Sequence, residues 1–199
     1  MKKHIYILAT GGTIAGKAAS EAATTGYEAG AIGIADLLAA VPEVRQYADV
    51  EGEQIASIDS KDMPSAIWLR LATRCKELLA REDVDGVVIT HGTDTMEETA
   101  YFLHLTVHSA KPIVLTGAMR PATALSADGP MNLLQAVRVA ATDEAVGQGV
   151  LIVLDGTIES ARDAVKMHTT ALDTFQSPEV GALGSVHDGE PVFYRSPLR

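Results

Sequence analysis

Four short, unbroken apolar runs punctuate this chain: Ile5 to Ala9, Val87 to Ile89, Ile113 to Leu115 and Val150 to Leu154. A fifth, more mixed stretch, Val50 to Ile58, has the length and composition of a strand. Segments with helical periodicity lie between them. Ile34, Leu37, Leu38 and Val41 form one stripe, closed by Pro42. Pro64 opens a second, carrying Ile67, Trp68, Leu71, Ala72, Cys75, Leu78 and Leu79. Thr95 and Glu98 have capping-box spacing, which predicts a helix starting at Met96. Asp128 and Pro130 open a last one, with Leu133, Leu134, Val137, Ala140 and Ala141 inward and Met131 also assigned to the core. A strand that is apolar on both faces must be covered on both faces. The alternation therefore predicts an α/β fold of three layers, a doubly wound and mainly parallel sheet with helices on either side. In such sheets ligands bind beyond the carboxyl ends of the strands. The strands here end in "TGGT", "DSKDM", "THGTDT", "TGAMRP" and "DGT", so hydroxyls and acids pool along that one edge.

Nearly half of the 199 residues are apolar, enough for the core of one large domain. No apolar run is long enough to cross a bilayer. Lys2 and Lys3 precede an apolar stretch that stops at Gly11-Gly12, too short for a signal-peptide core, so a buried first strand and a cytoplasmic address are expected. Lys and Arg total 16 against 26 Asp and Glu, leaving ten net negative charges. Such a chain repels nucleic acid and anionic membranes. The single cysteine, Cys75, excludes an internal disulfide and a cysteine-based zinc site, and its place on a helix's apolar face marks a buried, inert thiol.

Residues 17–33 are rich in Ala, Gly, Ser and Thr without a stripe and read as a mobile loop. Beyond Gly181 the pattern is a hairpin turning at Asp188-Gly189, and "RSPLR" resembles a linker.

Gly11 to Lys17 fits the phosphate-loop spacing G-x-x-x-x-G-K. That motif needs a Ser or Thr after the lysine to hold magnesium, and a helix starting there to face the anion. Ala18 follows Lys17, and the next residues are small and aperiodic. The alternative centres on Thr13. A hydroxyl just after a strand, flanked by Gly11, Gly12 and Gly16, stands clear of the backbone, and becomes a nucleophile once a neighbour takes its proton.

Two longer phrases support that alternative. "ILATGGTIAG" and "VVITHGTDTMEETAYFL" together resemble the amino-terminal domain of bacterial-type L-asparaginases, amidohydrolases of the asparaginase/glutaminase family. "GAMRP", "SADGPMNL" and "RDAVKMHTT" resemble later segments of that domain in the same order. The resemblance runs from about Ile5 to the end of the chain and implies a flavodoxin-like or Rossmann-like sheet. It implies Thr13 as the nucleophile that attacks the side-chain amide. Tyr27, in "TTGYEAG", is similar to the tyrosine on the loop that closes over the substrate. Ser60 resembles the residue that receives the α-carboxylate, and Asp94 the acceptor of the α-ammonium. Thr93, Asp94 and Lys166 resemble the second catalytic group, with Thr93 positioning water and Lys166 managing proton traffic. The oxyanion site maps to backbone N–H groups near Thr93 and Ala118. The family uses no metal and no organic cofactor.

The resemblance thus implies hydrolysis of L-asparagine to L-aspartate and ammonia by a homodimer or homotetramer. A glutaminase-leaning amidase, an ammonia-supplying subunit of an amidotransferase and a non-catalytic amino-acid-binding domain stand as alternatives. The expected organisation is a catalytic domain over 1–185, a terminal hairpin and tail over 186–199, and no second domain. In the family that second domain supplies a glutamate to a neighbouring subunit's site. Lys61 also departs from the family, following Ser60 where many relatives carry an uncharged amide; it is a candidate contact for the α-carboxylate.

Other features have plainer readings. His104 and His108, four apart near a helix end, are solvated or dipole-stabilising. His91 is expected to pack and hydrogen-bond behind Thr93. Glu97 and Glu98 are accounted for by helix-start preferences.

Overall fold

The computed structural model describes residues 2–23 and 26–197. Thr24 and Thr25, part of the expected mobile loop and of "TTGYEAG", and the last two residues of "RSPLR" lie outside the described residues. The strands are β1 (Lys3–Gly11), β2 (Ala48–Ile58), β3 (Gly86–Thr90), β4 (Ile113–Thr116), β5 (Val150–Leu154), β6 (Thr157–Ser160), β7 (Val165–Lys166), β8 (Phe175–Gln176), β9 (Gly184–His187) and β10 (Glu190–Phe193). The helices are α1 (Ile34–Ala40), α2 (Val44–Tyr47), α3 (Ser65–Leu79), α4 (Met96–Thr106) and α5 (Gly129–Ala141). The main sheet runs β10-β9-β6-β5-β4-β3-β1-β2, parallel from β2 through β5 and antiparallel from β5 to β10; β7 and β8 form a separate two-stranded ribbon.

Side chains alternate across the parallel strands, as a pleated sheet requires. Tyr6, Leu8, Val87, Ile89, Leu115 and Ile152 pack in one core cluster with residues of α3 and α4. Ile5, Ile7, Val88, Val114, Leu151 and Val153 pack in another with residues of α5 and α2. The three-layer, mainly parallel architecture expected from the sequence is therefore present. Cys75 is buried in the first cluster, where loss of hydration pushes its thiol up to about 12, so it stays protonated.

The sheet order sets the location of a site. From β1 the chain moves outward to β2, then returns to place β3 on the other side of β1. The winding therefore reverses between β1 and β3, which marks their carboxyl ends as the place for a site. Thr13 follows β1 and Thr93 follows β3.

Several local expectations are corrected. The helix starting at Met96 forms, but without the capping box: the Thr95 hydroxyl donates instead to the carbonyl of Ser60 at 2.8 Å, and Glu98 is exposed. The hydroxyl is held by a tertiary carbonyl, and its oxygen accepts no N–H from the first turn of the helix. His104 lies in α4, but the helix ends at Thr106, so His108 is beyond it and the two do not share one helix face. Met131 is exposed, two positions from Leu133 and so on the opposite side of α5. The terminal hairpin turns at Asp188 and Gly189, both in the left-handed region with φ of 48° and 78°. Its first strand, β9, begins at Gly184 and pairs with β6, so the hairpin forms the edge of the main sheet.

Candidate active site

Three loops converge at the carboxyl ends of β1, β2 and β3, and glycines let them meet. A Cβ on Gly12 would lie 2.4 Å from the backbone of Gly92, and one on Gly92 would lie 2.5 Å from Ser60 Oγ. Gly12 also has a φ of 78°. Any side chain at either position would push the loops apart.

The turn after β1 is a short 3-10 segment, Thr13–Ala15. Lys17 does not open a helix; its backbone N–H and carbonyl pair with Glu28 at 2.9 Å in each direction. This agrees with the rejection of a phosphate loop. The pairing folds the segment back on itself. Ile32 N donates to Ala15 O at 2.9 Å, Ala122 N to Gly16 O at 3.0 Å, and Ala18 N to Thr123 Oγ1 at 3.0 Å. Tyr27 is thereby carried over the turn, where its hydroxyl lies 2.5 Å from Thr13 Oγ1. Thr13 itself is buried.

On the other side of the crevice the Lys166 amine reaches in from β7. It donates to Thr93 Oγ1 at 2.9 Å and to Asp94 Oδ1 at 2.6 Å. The lysine side chain is 16% exposed and that of Asp94 56%, so the ion pair has a dry end and a wet end. Ser60 Oγ accepts the N–H of Asp94 at 3.1 Å. The Ser60 hydroxyl proton therefore remains available to an acceptor in the recess.

Thr13, Tyr27, Asp59, Ser60, Gly92, Thr93, Asp94, Met119, Lys166 and Thr169 line one small recess with an almost wholly polar wall. Six sequence-predicted residues, Thr13, Tyr27, Ser60, Thr93, Asp94 and Lys166, are thus brought together. Two are not in the lining. Lys61 is largely exposed and its amine pairs with Asp59 Oδ2 at 2.9 Å. Ala118 is fully buried in the core, one residue before Met119. Burial tends to raise the Asp59 carboxyl, but its bonds from Lys61 outweigh that and hold it below the ordinary range.

His91 sits behind this wall, fully buried. Its Nδ1 is 2.7 Å from Gly92 O and its Nε2 is 2.9 Å from Thr99 Oγ1, which also receives Trp68 Nε1–H at 2.7 Å. Because a carbonyl can only accept, His91 Nδ1–H donates to Gly92 O; in the neutral ring Nε2 is then the acceptor and takes the Thr99 hydroxyl proton. Burial pushes the imidazole down to about 4, against the pull of the Gly92 carbonyl, so the ring is neutral.

Residues 4–199 match the family model for asparaginase, N-terminal. The chain belongs to the asparaginase family. It is 55% identical to L-asparaginase 2 of Bacillus subtilis over 93% of its length, covering 49% of that protein. It is 48% identical to a glutaminase-asparaginase of Pseudomonas fluorescens over 98% of its length, covering 54% of that one. A crystal structure of a probable cytoplasmic L-asparaginase from Campylobacter jejuni superposes with a TM-score of 0.97 at 56% identity, over 99% of this chain and 60% of that one. The chain thus spans about half the length of the curated asparaginase relatives it matches.

Asp59, Gly92, Met119 and Thr169 were not singled out from the sequence, although each lies in or beside a polar phrase that was. Glu97 was read only as a helix-start charge. In the fold its Oε2 accepts the backbone N–H of Lys166 at 2.5 Å. A contact 69 residues apart leaves no local signal.

Proposed function

We propose that this chain hydrolyses L-asparagine to L-aspartate and ammonia through an acyl-threonine on Thr13. The observation that carries the proposal is that the Thr13–Tyr27 hydroxyl pair and the Thr93–Lys166–Asp94 cluster line the same recess. One pair suits acylation and the other suits its reversal by water.

The substrate is a zwitterion, and the polar wall offers both signs. The Asp94 carboxylate takes the α-ammonium in a charge-assisted bond. The Ser60 hydroxyl donates to the α-carboxylate. Thr13 Oγ attacks the side-chain amide carbon while its proton passes to the Tyr27 oxygen and the phenol's own proton passes on to the amide nitrogen. The carbonyl oxygen becomes an oxyanion, held by backbone N–H groups in the loop of Thr93; such donors often supply the largest share of catalysis in acyl transfer. The C–N bond breaks and the nitrogen leaves as ammonia carrying the proton relayed through Tyr27. Lys166 donates to Thr93 Oγ1, so the Thr93 hydroxyl proton turns to the recess and orients the incoming water. Water adds to the acyl carbon, one of its protons returns to Thr13 Oγ as the C–O bond breaks, and the new acid leaves as aspartate after giving its remaining proton to solvent.

The decisive experiment is ammonia release from L-asparagine and L-glutamine, side by side, for wild type and Thr13→Ala. Release from asparagine that vanishes in Thr13→Ala while aspartate still binds supports the proposal; release that survives removes Thr13 as the nucleophile. A preference for glutamine would favour the second reading, which the Pseudomonas glutaminase-asparaginase relative keeps open. We also propose a homo-oligomer, measured by light scattering on the full chain. A cytoplasmic site of action is supported by the Campylobacter jejuni relative, a probable cytoplasmic L-asparaginase. Among the described residues no helix is long and apolar enough to cross a membrane.

A further inference from the structure

Lys166 enters the recess from a very slight element. Strand β7 is two residues long, Val165 and Lys166, and pairs only with the two residues of β8. A ribbon of this size has little stability of its own. Lys166 must nonetheless keep its amine within reach of both Thr93 and Asp94.

Two buried or half-buried carboxylates tie the ribbon down. Glu159 of β6 is 3% exposed and accepts the hydroxyl of Ser177, just past β8, at 2.5 Å. Glu97, in the first turn of α4, accepts the N–H of Lys166 itself. The second tie closes a ring. Asp94 stands at the entry to α4, Glu97 lies one turn later, and Lys166 bonds to the first through its amine and to the second through its backbone. The two ends of the lysine are thus referred to the same short stretch of chain.

We propose that Glu97 is a positioning residue that sets the placement of the Lys166 amine against Thr93 and Asp94. The proposal rests on the reading of the recess as an amidohydrolase site. A carboxylate makes a strong, short bond to an N–H, and catalytic groups displaced by about 1 Å can cost on the order of a hundredfold in rate. The plainer role for a glutamate at this position is to complement the helix dipole, an effect of its charge alone. The two roles separate by substitution. Glu97→Gln removes the charge and keeps an acceptor oxygen; Glu97→Ala removes both. The Glu159–Ser177 tie remains in each variant, so the ribbon stays attached.

The test combines steady-state kinetics on L-asparagine with crystal structures of the full-length wild type and both variants. Positioning predicts that Glu97→Ala lowers kcat by roughly 30-fold or more, with KM within about threefold and Tm nearly unchanged, and that Glu97→Gln restores kcat to within about fivefold of wild type. In the Glu97→Ala crystal the Lys166 amine should leave hydrogen-bond distance of Thr93 or Asp94. An amine that stays in place in Glu97→Ala overturns the inference, whether or not the protein is active. Equal damage in Gln and Ala variants does so too, since charge alone would then be the cause. Wild type that releases no ammonia would instead overturn the proposed function, and the crystal comparison would still decide the role of Glu97.

Discussion

Thr13 and Tyr27 are joined oxygen to oxygen at 2.5 Å, across a fold-back whose backbone pairing at Lys17 and Glu28 brings the tyrosine over the turn. In the proposed mechanism the tyrosine oxygen takes the Thr13 proton. Tyr27→Phe keeps the ring and removes that oxygen. General-base contributions are typically about 10²–10⁴-fold, so kcat on asparagine should fall by about two orders of magnitude or more. A Tyr27→Phe enzyme within threefold of wild type would transfer the proton step to some other group.

The ring also needs room. Gly16 has an ordinary extended backbone, φ −83° and ψ 147°, so alanine can adopt it. Space is the constraint: a Cβ there would lie 2.9 Å from Tyr27 Cδ2 and 2.9 Å from the Thr13 carbonyl. The ring can move away, whereas the Thr13 carbonyl is backbone and can yield only by shifting the turn. Gly16→Ala should therefore lower kcat roughly tenfold by displacing the tyrosine hydroxyl. A double variant no slower than Tyr27→Phe alone would place the whole effect at the tyrosine hydroxyl. Additive losses in that cycle would show Gly16 acting by another route.

Such dependences explain what was legible before the fold was seen. Ile5, Leu8, Val88 and Leu115 announce themselves locally, because a strand buried on both faces must be apolar at every position. Thr13 and Asp94 were legible because each follows a strand in a long, ordered phrase. Met131 was misplaced because an apolar side chain does not say which way its helix faces. Thr95 was taken for a cap, whereas the carbonyl that takes its hydroxyl belongs to Ser60, 35 residues away. The ribbon that carries Lys166 was missed altogether. Two residues cannot show a period, and what holds them is a carboxylate on a distant helix.

The neutral His91 makes acid stability measurable. Its ordinary value of 6.5 applies in the unfolded chain, and burial lowers it to about 4 in the folded one. Between those values the unfolded state binds the extra proton, so stability is complete above pH 6.5 and erodes as pH falls toward 4. A gap of that size corresponds to about 3 kcal/mol at most. Urea unfolding of wild type should show this loss, and His91→Gln, which has no ring to protonate, should have a flatter profile from pH 7 to 4. Parallel profiles for the two proteins would mean that other groups, not His91, set the acid limb.

Gly92 gives a prediction that separates binding from folding. Its backbone is not in the left-handed region, so its lack of a side chain serves the close approach of Ser60. A Cβ at Gly92 would meet Ser60 Oγ at 2.5 Å and Ser60 Cβ at 2.7 Å, and Ser60 is itself buried and tied to Asp94 N. Overpacking of this kind costs about 1–3 kcal/mol. Gly92→Ala should lower Tm and raise KM for asparagine, because the hydroxyl proposed to donate to the α-carboxylate is displaced. Adding Ser60→Gly removes both clashing atoms. The double variant should regain stability without regaining affinity, measured by thermal unfolding and by KM on the same preparations. If affinity returned along with stability, the Ser60 hydroxyl would have no part in holding the substrate, and the carboxylate would have to be bound elsewhere in the recess.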